Sequence, residues 1–532
     1  MKKPVLGVVT ALLVLGMAVP LWAQTNFWIA PGGGMLNNAA NWSLGAPAKG
    51  QTLCFTNPAS YAITNNSYFN LGVESLFNAS RGTVTYVGNS TRIQTSILIG
   101  TVPGATATVD FVKGRVEAPY GAISVGQNGG RGHMRMRDEM DFVYTYLDIN
   151  VGDNSDCNTL EVRDGAVLLK ANNGTYIRVG RYASENTLRI AAGGVVTNLG
   201  YFAVGVNSSD YSNRVVVTDS GSSLTLDGAR NNWIGGGYGR YNELIVTNGG
   251  HVTVLAGNAG LVIGQYGRYN LTVVTGRHSL LECAGRLALA AGGSAYPGNR
   301  LDILDGGRAE MATLEFTGAT ASRVTVAGAG SLLRAGEAQV GKGTGAAIME
   351  VSDGALAEAE VLTVGTGTGA NSQVLADDAA LVATNAAGDG IFEVRRGTVS
   401  LSNGSTLTAD SLCITNTAAA NCRLTATIGS TPAGVMLTRN DPAAIKLAVP
   451  GGLKLVFAAD PAAELKPLWG LRISGDQVAL LAGLVADGKI TYDTSALSSV
   501  SQKRFGVHYD AESDTSFIGL SKKIIGSYLL LR

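Results

Sequence analysis

Apolar and polar residues alternate along most of this chain in short runs, each closed by glycine or by a small polar turn. Leu160/Val162, Leu188/Ile190, Leu244/Val246 and Leu301/Ile303 are typical, with polar or charged residues between them. Period-two alternation sends successive side chains to opposite faces of a strand, so these runs predict strands with one buried face. A second pattern is an apolar tetrad before glycine: ILIG at Gly100, ISVG at Gly126, INVG at Gly152, IRVG at Gly180, FAVG at Gly205, NWIG at Gly235 and LVIG at Gly264. It continues as a degenerate LALA at Ala290, EFTG at Gly318 with a possible slip of one residue, AQVG at Gly341 and LTVG at Gly365. The intervals are 26, 26, 28, 25, 30, 29, 26, 28, 23 and 24 residues, the self-similarity of a solenoid.

Each unit repeats one grammar. The tetrad strand is followed by a polar loop ending in asparagine, at Asn158, Asn186, Asn213, Asn242, Asn270 and Asn299. A second strand leads to a tight turn such as Asp164-Gly165, Gly249-Gly250 or Asp353-Gly354, and a third short strand returns to the next tetrad. Three strands per unit make one coil of a parallel β-helix, and the handedness of parallel connections makes it right-handed. The expected fold is therefore all-β, a right-handed single-stranded parallel β-helix of about 11 coils. Stacked at about 4.8 Å per coil, these would form a rod of roughly 50 Å. The corner asparagines are expected to bond from coil to coil as a structural ladder that satisfies buried amides.

The ends read differently. Lys2 and Lys3 precede an uncharged apolar stretch at 5–19, and Ala23 offers a small residue for cleavage; 1–23 reads as a signal peptide, too short to span a membrane. Residues 24–90 are expected to be an N-terminal cap with irregular first coils, in which Trp28 and Trp42 plug the apolar column. The repeat domain is placed at 91–435 and a C-terminal cap or attachment module, small and α+β or β, at 436–532. Within it, 474–490 predicts a helix with Asp476 as N-cap and Asp487-Gly488 as its stop, and 504–520 a hairpin around Glu512-Ser513-Asp514.

Composition narrows the partners. With 40 basic and 40 acidic residues the formal charge is zero, which leaves no electrostatic case for nucleic acid or an anionic membrane. Cys54, Cys157, Cys283, Cys413 and Cys422 are too scattered for a disulfide framework; only Cys413 and Cys422 are close enough in sequence for a local bridge. No cofactor fingerprint and no metal-ligand spacing is present.

Two sets of residues carry candidate chemistry. The phrase Gly-x-Tyr-Gly-Arg-Tyr-Asn occurs at 236–242 and 264–270, placing Tyr238, Arg240 and Tyr241 beside Tyr266, Arg268 and Tyr269 on adjacent coils. Such an edge can stack on a sugar ring or bind a carboxylate, or simply cover a corner. GGYGRYNEL is no calcium nonapeptide, because Tyr241 stands where the ligand Asp must be. His251, His278 and Arg308 follow the same turn in successive coils, with Glu282 and Glu310 just downstream. That cluster has the residue types for acid–base work or a divalent metal, and equally those of ordinary polar turns. On the second strand the expected outward series is Glu161, Arg189, Val216, Ile245, Thr272, Asp302, Thr325 and Glu350, with no neighbouring acids.

The opening FW…NAANWS…P, followed by units of the form VG…N-x-L-x-V…GG-x-V-x-V, resembles autotransporter-passenger-like β-helix repeat proteins over roughly residues 26–410. The resemblance implies a secreted bacterial protein, extracellular or at the cell surface or outer membrane, with a structural or adhesive role and a polysaccharide or cell-surface glycan as possible partner. No translocator barrel is seen in the 97 residues after 435, which end in Arg532. Two alternatives stay open: a pectate-lyase-like polysaccharide lyase or glycoside hydrolase using the 251–310 cluster, and a surface filament that self-associates end to end.

Overall fold

In a computed structural model the chain forms a parallel β-solenoid of about 15 turns. The structure describes residues 24–521 apart from 67–68, 71–75, 89–91, 95, 119–120, 139, 141, 146, 173, 292–295, 318–321, 368–371, 416–421, 430–433 and 459–467. The expected leader at 1–23 and the tetrad residue Gly318 lie outside the described residues. Each coil contributes one strand to each of three faces. Face A holds the tetrads (Ile149–Asp153, Tyr176–Arg181, Tyr201–Val204), face B the strand after the asparagine corner (Thr159–Val162, Thr187–Ile190, Arg214–Thr218), and face C the strand after the tight turn (Val167–Lys170, Val195–Asn198, Ser223–Leu226). Every strand pairs in parallel with its counterpart one coil away, as in Thr159↔Thr187↔Arg214.

Pairing runs from Thr25↔Thr52 to Leu453↔Ile490, so there are more coils than the expected 11. The additional coils lack a tetrad glycine and so escape the repeat pattern: Leu53–Phe55 and Phe77–Ala79 precede the series, while Phe392–Val394, Leu412–Ile414 and Ile445–Leu447 follow it. At about 4.8 Å per coil, 15 turns extend to about 70 Å. Beyond Leu280 the third corner tightens: Leu280–Leu289, Arg308–Phe316, Leu332–Val340 and Leu356–Val364 each run from face C into face A as one bent strand.

The interior is a continuous apolar column. Trp28 and Trp42 are 3% exposed, meet edge to face at 5.1 Å and begin an aromatic run through Phe55, Phe77 and Phe111. Their indole N–H groups donate to the carbonyls of Ala30 and Leu36, each at 2.7 Å, so both rings can be buried without an orphaned donor. At the other end the hairpin Phe505–Asp510/Thr515–Leu520 pairs antiparallel with Leu468–Ser474, and the helix Val478–Ala486 buries Leu481 and Leu484. The N-cap is Gln477, one residue after the expected Asp476, whose carboxylate accepts from the Val478 N–H at 3.4 Å, and the helix stops at Asp487 with Gly488 at φ +67°. Among the described residues no helix is long and apolar enough to cross a membrane.

At the A-to-B corner the asparagines turn inward and bond in line. Asn158 Nδ2 donates to Asn186 Oδ1 at 2.8 Å, Asn186 to Asn213 at 3.0 Å, Asn213 to Asn242 at 3.2 Å, and Asn242 to Asn270 and Asn270 to Asn299 at 3.1 Å. The same Oδ1 atoms accept the backbone N–H of the preceding asparagine, so one side-chain oxygen satisfies two buried donors. Each amide lies against the tetrad glycine of the coil before it. A Cβ on Gly235 would stand 2.1 Å from Asn270 Nδ2, and on Gly264 2.2 Å from the carboxamide of Asn299.

From Gly126 to Gly264 each tetrad glycine thus faces a ladder asparagine, and the two are lost together in the next two coils, although Gly341 returns against Ser372. The degenerate Ala290 takes the place of Gly264 one coil on, and there Ser322 stands in register for Asn299. In the next coil the register puts Thr317 at the glycine position, confirming the slip in EFTG, and Ala347 at the asparagine position.

Among the described residues no two of the five cysteines form a disulfide. Cys413 points out of face A while Cys422 points inward, its Sγ 3.0 Å from the Val394 carbonyl; facing opposite sides of the sheet wall, they cannot form the local bridge their spacing allowed. One lysine lies inside the column. Lys170 is fully buried, and its Nζ donates to the Asn172 carbonyl at 2.6 Å. Burial pushes its pKa down from 10.5 to about 8, only partly countered by Asp148.

Two outcomes follow from these contacts. Asn270→Ala is expected to cost about 2–4 kcal/mol, because it orphans buried partners on both neighbouring coils. Gly235→Ala is destabilising in the wild type, and at least about 1 kcal/mol less so in an Asn270→Ser background; a double-mutant cycle on urea midpoints checks the coupling. For Lys170 the folded state holds its proton more weakly than the unfolded chain, so this residue's contribution to stability rises with pH between about 8 and 10.5. Lys170→Met should therefore be more stable than wild type at pH 7, by up to about 3 kcal/mol, with the gap closing toward pH 10 in the same assay.

Candidate functional site

The repeated phrase at 236–242 and 264–270 divides into an inner and an outer part. Gly235 and Asn242 belong to the ladder, and Gly239 passes so close to the previous coil that a Cβ would meet the Gly205 carbonyl at 2.4 Å. What remains points outward: Tyr238, Arg240 and Tyr241, with Tyr266, Arg268 and Tyr269 one coil on. Arg240 and Arg268 are bridged in parallel register, as are Tyr211 and Arg240. Tyr241 and Tyr269 stack at 5.3 Å with ring planes 10° apart, and Tyr238 and Tyr266 at 5.9 Å and 30°.

Tyr296 completes this surface. It comes from the following coil, where the phrase is lost, and meets Tyr238 at 6.0 Å and Tyr266 at 5.7 Å edge to face. Desolvation, then the neighbouring Tyr238, raises its phenol pKa. Sequence reasoning missed it because Pro297 stands where the phrase has glycine and the arginine is absent; a search for a tyrosine just before each ladder asparagine would have found it. The Tyr241–Tyr269 row stops at Gly298, where a Cβ would lie 2.3 Å from the Tyr269 ring.

The backbone beneath these rings is unusual. Among the described residues, eleven of the 22 non-glycine positions with positive φ are Asn or Asp, whose short polar side chains tolerate the left-handed region. Tyrosine is the next most frequent: Tyr182 (+54°), Tyr238 (+84°), Tyr241 (+57°) and Tyr269 (+57°), all exposed on loops after tetrad strands. Left-handed backbone costs such a side chain about 1–2 kcal/mol that glycine would avoid. Exposed rings held at that cost add nothing to the core, and strain of this kind gathers where a surface is used.

The second cluster lies at the B-to-C corner and along face C. His251 and His278 approach through backbone, His251 Nε2 lying 3.2 Å from the His278 carbonyl oxygen. His251, His278, Arg308 and Glu310 line one shallow depression of about 630 Å³. Glu282 and Glu310 are register neighbours on adjacent coils and line a second of about 460 Å³, floored by Ala284, Ala312 and Gly336 at the tightened corner. Glu310 is held by Arg308 at 2.7 Å and Arg334 at 3.6 Å; Arg334 also bonds Glu358 in the next coil. Among the described residues Glu282 has no ion pair or hydrogen bond. Also among the described residues, no three His, Cys, Asp or Glu side chains are placed to hold a metal ion.

On face B the outward series differs from expectation at one position. Thr272 is in register with Leu244 and Leu301, hence inside, and Val273 is the outward residue. A polar residue at an inward position misled the alternation; Thr272 is buried and its hydroxyl has no partner. Glu161 and Arg189 form the expected inter-coil pair at 3.4 Å.

The architecture defines a parallel β-solenoid, with an aromatic corner and an acidic cleft on different parts of its surface. No family model, curated protein or solved structure matches the chain.

If Tyr238 is strained as its backbone indicates, Tyr238→Ala should be less stable than Tyr238→Gly by about 1 kcal/mol, reversing the usual order of these two residues. Thermal or urea unfolding of the two variants side by side checks this.

Proposed function

We propose that this is an exported extracellular or cell-surface solenoid, structural and adhesive in role, which binds polysaccharide along the tyrosine corner at 238–296. The observation that carries the reading is the set of exposed tyrosines stacked coil on coil with their rings toward solvent, three of them (Tyr238, Tyr241 and Tyr269) in left-handed backbone. Aromatic faces bury the apolar faces of sugar rings while the phenols and guanidiniums beside them bond hydroxyls and acids. Export is supported by the leader pattern at 1–23, and a bacterial surface location by the passenger-like repeat. On face C an antiparallel hairpin follows the last parallel strand, and on that face this favours a capped rod over a filament growing from that end.

A second reading, a polysaccharide lyase or glycoside hydrolase, draws on the adjacent Glu282 and Glu310 in the cleft, since paired carboxylates on neighbouring coils can share acid–base work. One experiment separates the two. Purified mature protein is incubated with neutral and acidic polysaccharides while bound protein and released oligosaccharides are followed together. Retention without products, weakened about tenfold or more by Tyr238→Ala/Tyr266→Ala/Tyr296→Ala, is expected. Product release abolished by Glu282→Gln or Glu310→Gln would establish the enzyme instead.

A further inference from the structure

Many arginines of this rod pair with carboxylates, whereas the tyrosine corner sets two arginines, unpaired among the described residues, in direct register. Across coils, arginine faces a carboxylate in Arg214–Glu243 at 2.8 Å, Arg286–Glu315 at 2.6 Å and Arg323–Glu350 at 2.9 Å. Where two arginines do stand in direct register, as Arg300 and Arg323 on face B, each has a carboxylate of its own, Asp302 and Glu350. Arg240 and Arg268 are also in register on adjacent coils and both are exposed, yet among the described residues neither guanidinium has an ion pair, a hydrogen bond or a ring contact.

The nearby acids are already committed. Asp210 is buried and accepts from the backbone N–H groups of Ala183, Val206 and Asn207, while Glu243 is held by Arg214. Two like charges one coil apart repel unless an anion lies between them. Both flank the stacked rings, so that anion would be part of whatever lies on the tyrosines.

We infer that the ligand of the corner is an anionic linear polysaccharide lying along the rod axis, its rings on the tyrosines and its acidic groups bridging Arg240 and Arg268. This rests on the polysaccharide reading above and adds the charge class and direction of the chain. The chemistry required is a carboxylate or sulfate on successive sugars, placed for the planar donor fork of arginine. A pair of positive charges on an otherwise balanced protein gives selectivity for the acidic polymer that added salt would weaken.

Affinity electrophoresis tests this with three immobilised probes: polygalacturonate, its fully methyl-esterified form and dextran sulfate. Expected are stronger retention by at least one acidic probe than by the uncharged ester, and a loss of about tenfold in Arg240→Gln/Arg268→Gln with unchanged thermal unfolding. Arg423→Gln, which removes an exposed charge elsewhere, should bind as wild type. Retention by polygalacturonate alone assigns a uronate, and by dextran sulfate alone a sulfate ester. Equal binding of acid and ester, with the arginine variant unaffected and Tyr238→Ala/Tyr266→Ala weakened, overturns the inference and leaves the neutral-glycan reading intact. An equal loss in Arg423→Gln overturns it as non-specific charge attraction. No retention by any probe or by neutral glucans overturns both readings.

Discussion

The buried amide ladder sets the terms for the rest of this rod. A solenoid must turn a corner in every coil, and each turn brings backbone N–H groups and carbonyls toward the dry interior. Asn158 through Asn299 resolve this by accepting from the neighbouring asparagine and its backbone while donating onward. Because bond lengths are fixed, the ladder also sets coil spacing and lateral register; a coil shifted by one residue would break two bonds at once. In these coils the tetrad glycine is required, since a Cβ there would occupy the carboxamide. Where the asparagine gives way to Ser322 and Ala347, glycine gives way to Ala290 and Thr317, and the third corner is rebuilt as a continuous bent strand.

Rebuilding that corner shapes the outer surface. In the coils with the ladder, the A-to-B corner is wide enough to carry two rows of tyrosines. In the coils beyond, small residues at 284, 312 and 336 let the wall bend inward, and the cleft lined by Glu282, Glu310 and Glu358 follows. The two candidate surfaces therefore arise from two ways of turning a corner. The charge pattern differs between them as well: along the cleft Arg334 lies between Glu310 and Glu358, whereas the arginines of the tyrosine corner have no counter-ion among the described residues.

The ends are handled by different physics. At the start a stack of large aromatic rings closes the column by volume, with both indole donors tied to nearby carbonyls. At the finish a change of strand direction closes it, because an antiparallel hairpin cannot template another parallel coil. Both ends bury the apolar column, and at the second the parallel run of face C gives way to antiparallel pairing.

The sequence by itself determined the solenoid, its three-strand coil, the inward asparagines and the helix and hairpin near the end, because strand alternation and turn chemistry are local and repeat. It also showed Tyr238, Arg240, Tyr241 and their copies, since an unaltered phrase recurring one coil later must occupy one edge. Coils without a tetrad glycine were invisible to the pattern, so the number of turns was underestimated. Only the tertiary structure decided that Tyr296 joins Tyr238 and Tyr266, that Thr272 faces inward, and that Glu282 and Glu310 share a cleft. It alone also showed that Arg240 and Arg268 stand in register on adjacent coils with no carboxylate on either among the described residues. Those facts depend on which residues lie one coil apart, a distance of about 4.8 Å in space but some 26 residues or more along the chain, set by loop lengths that vary from coil to coil.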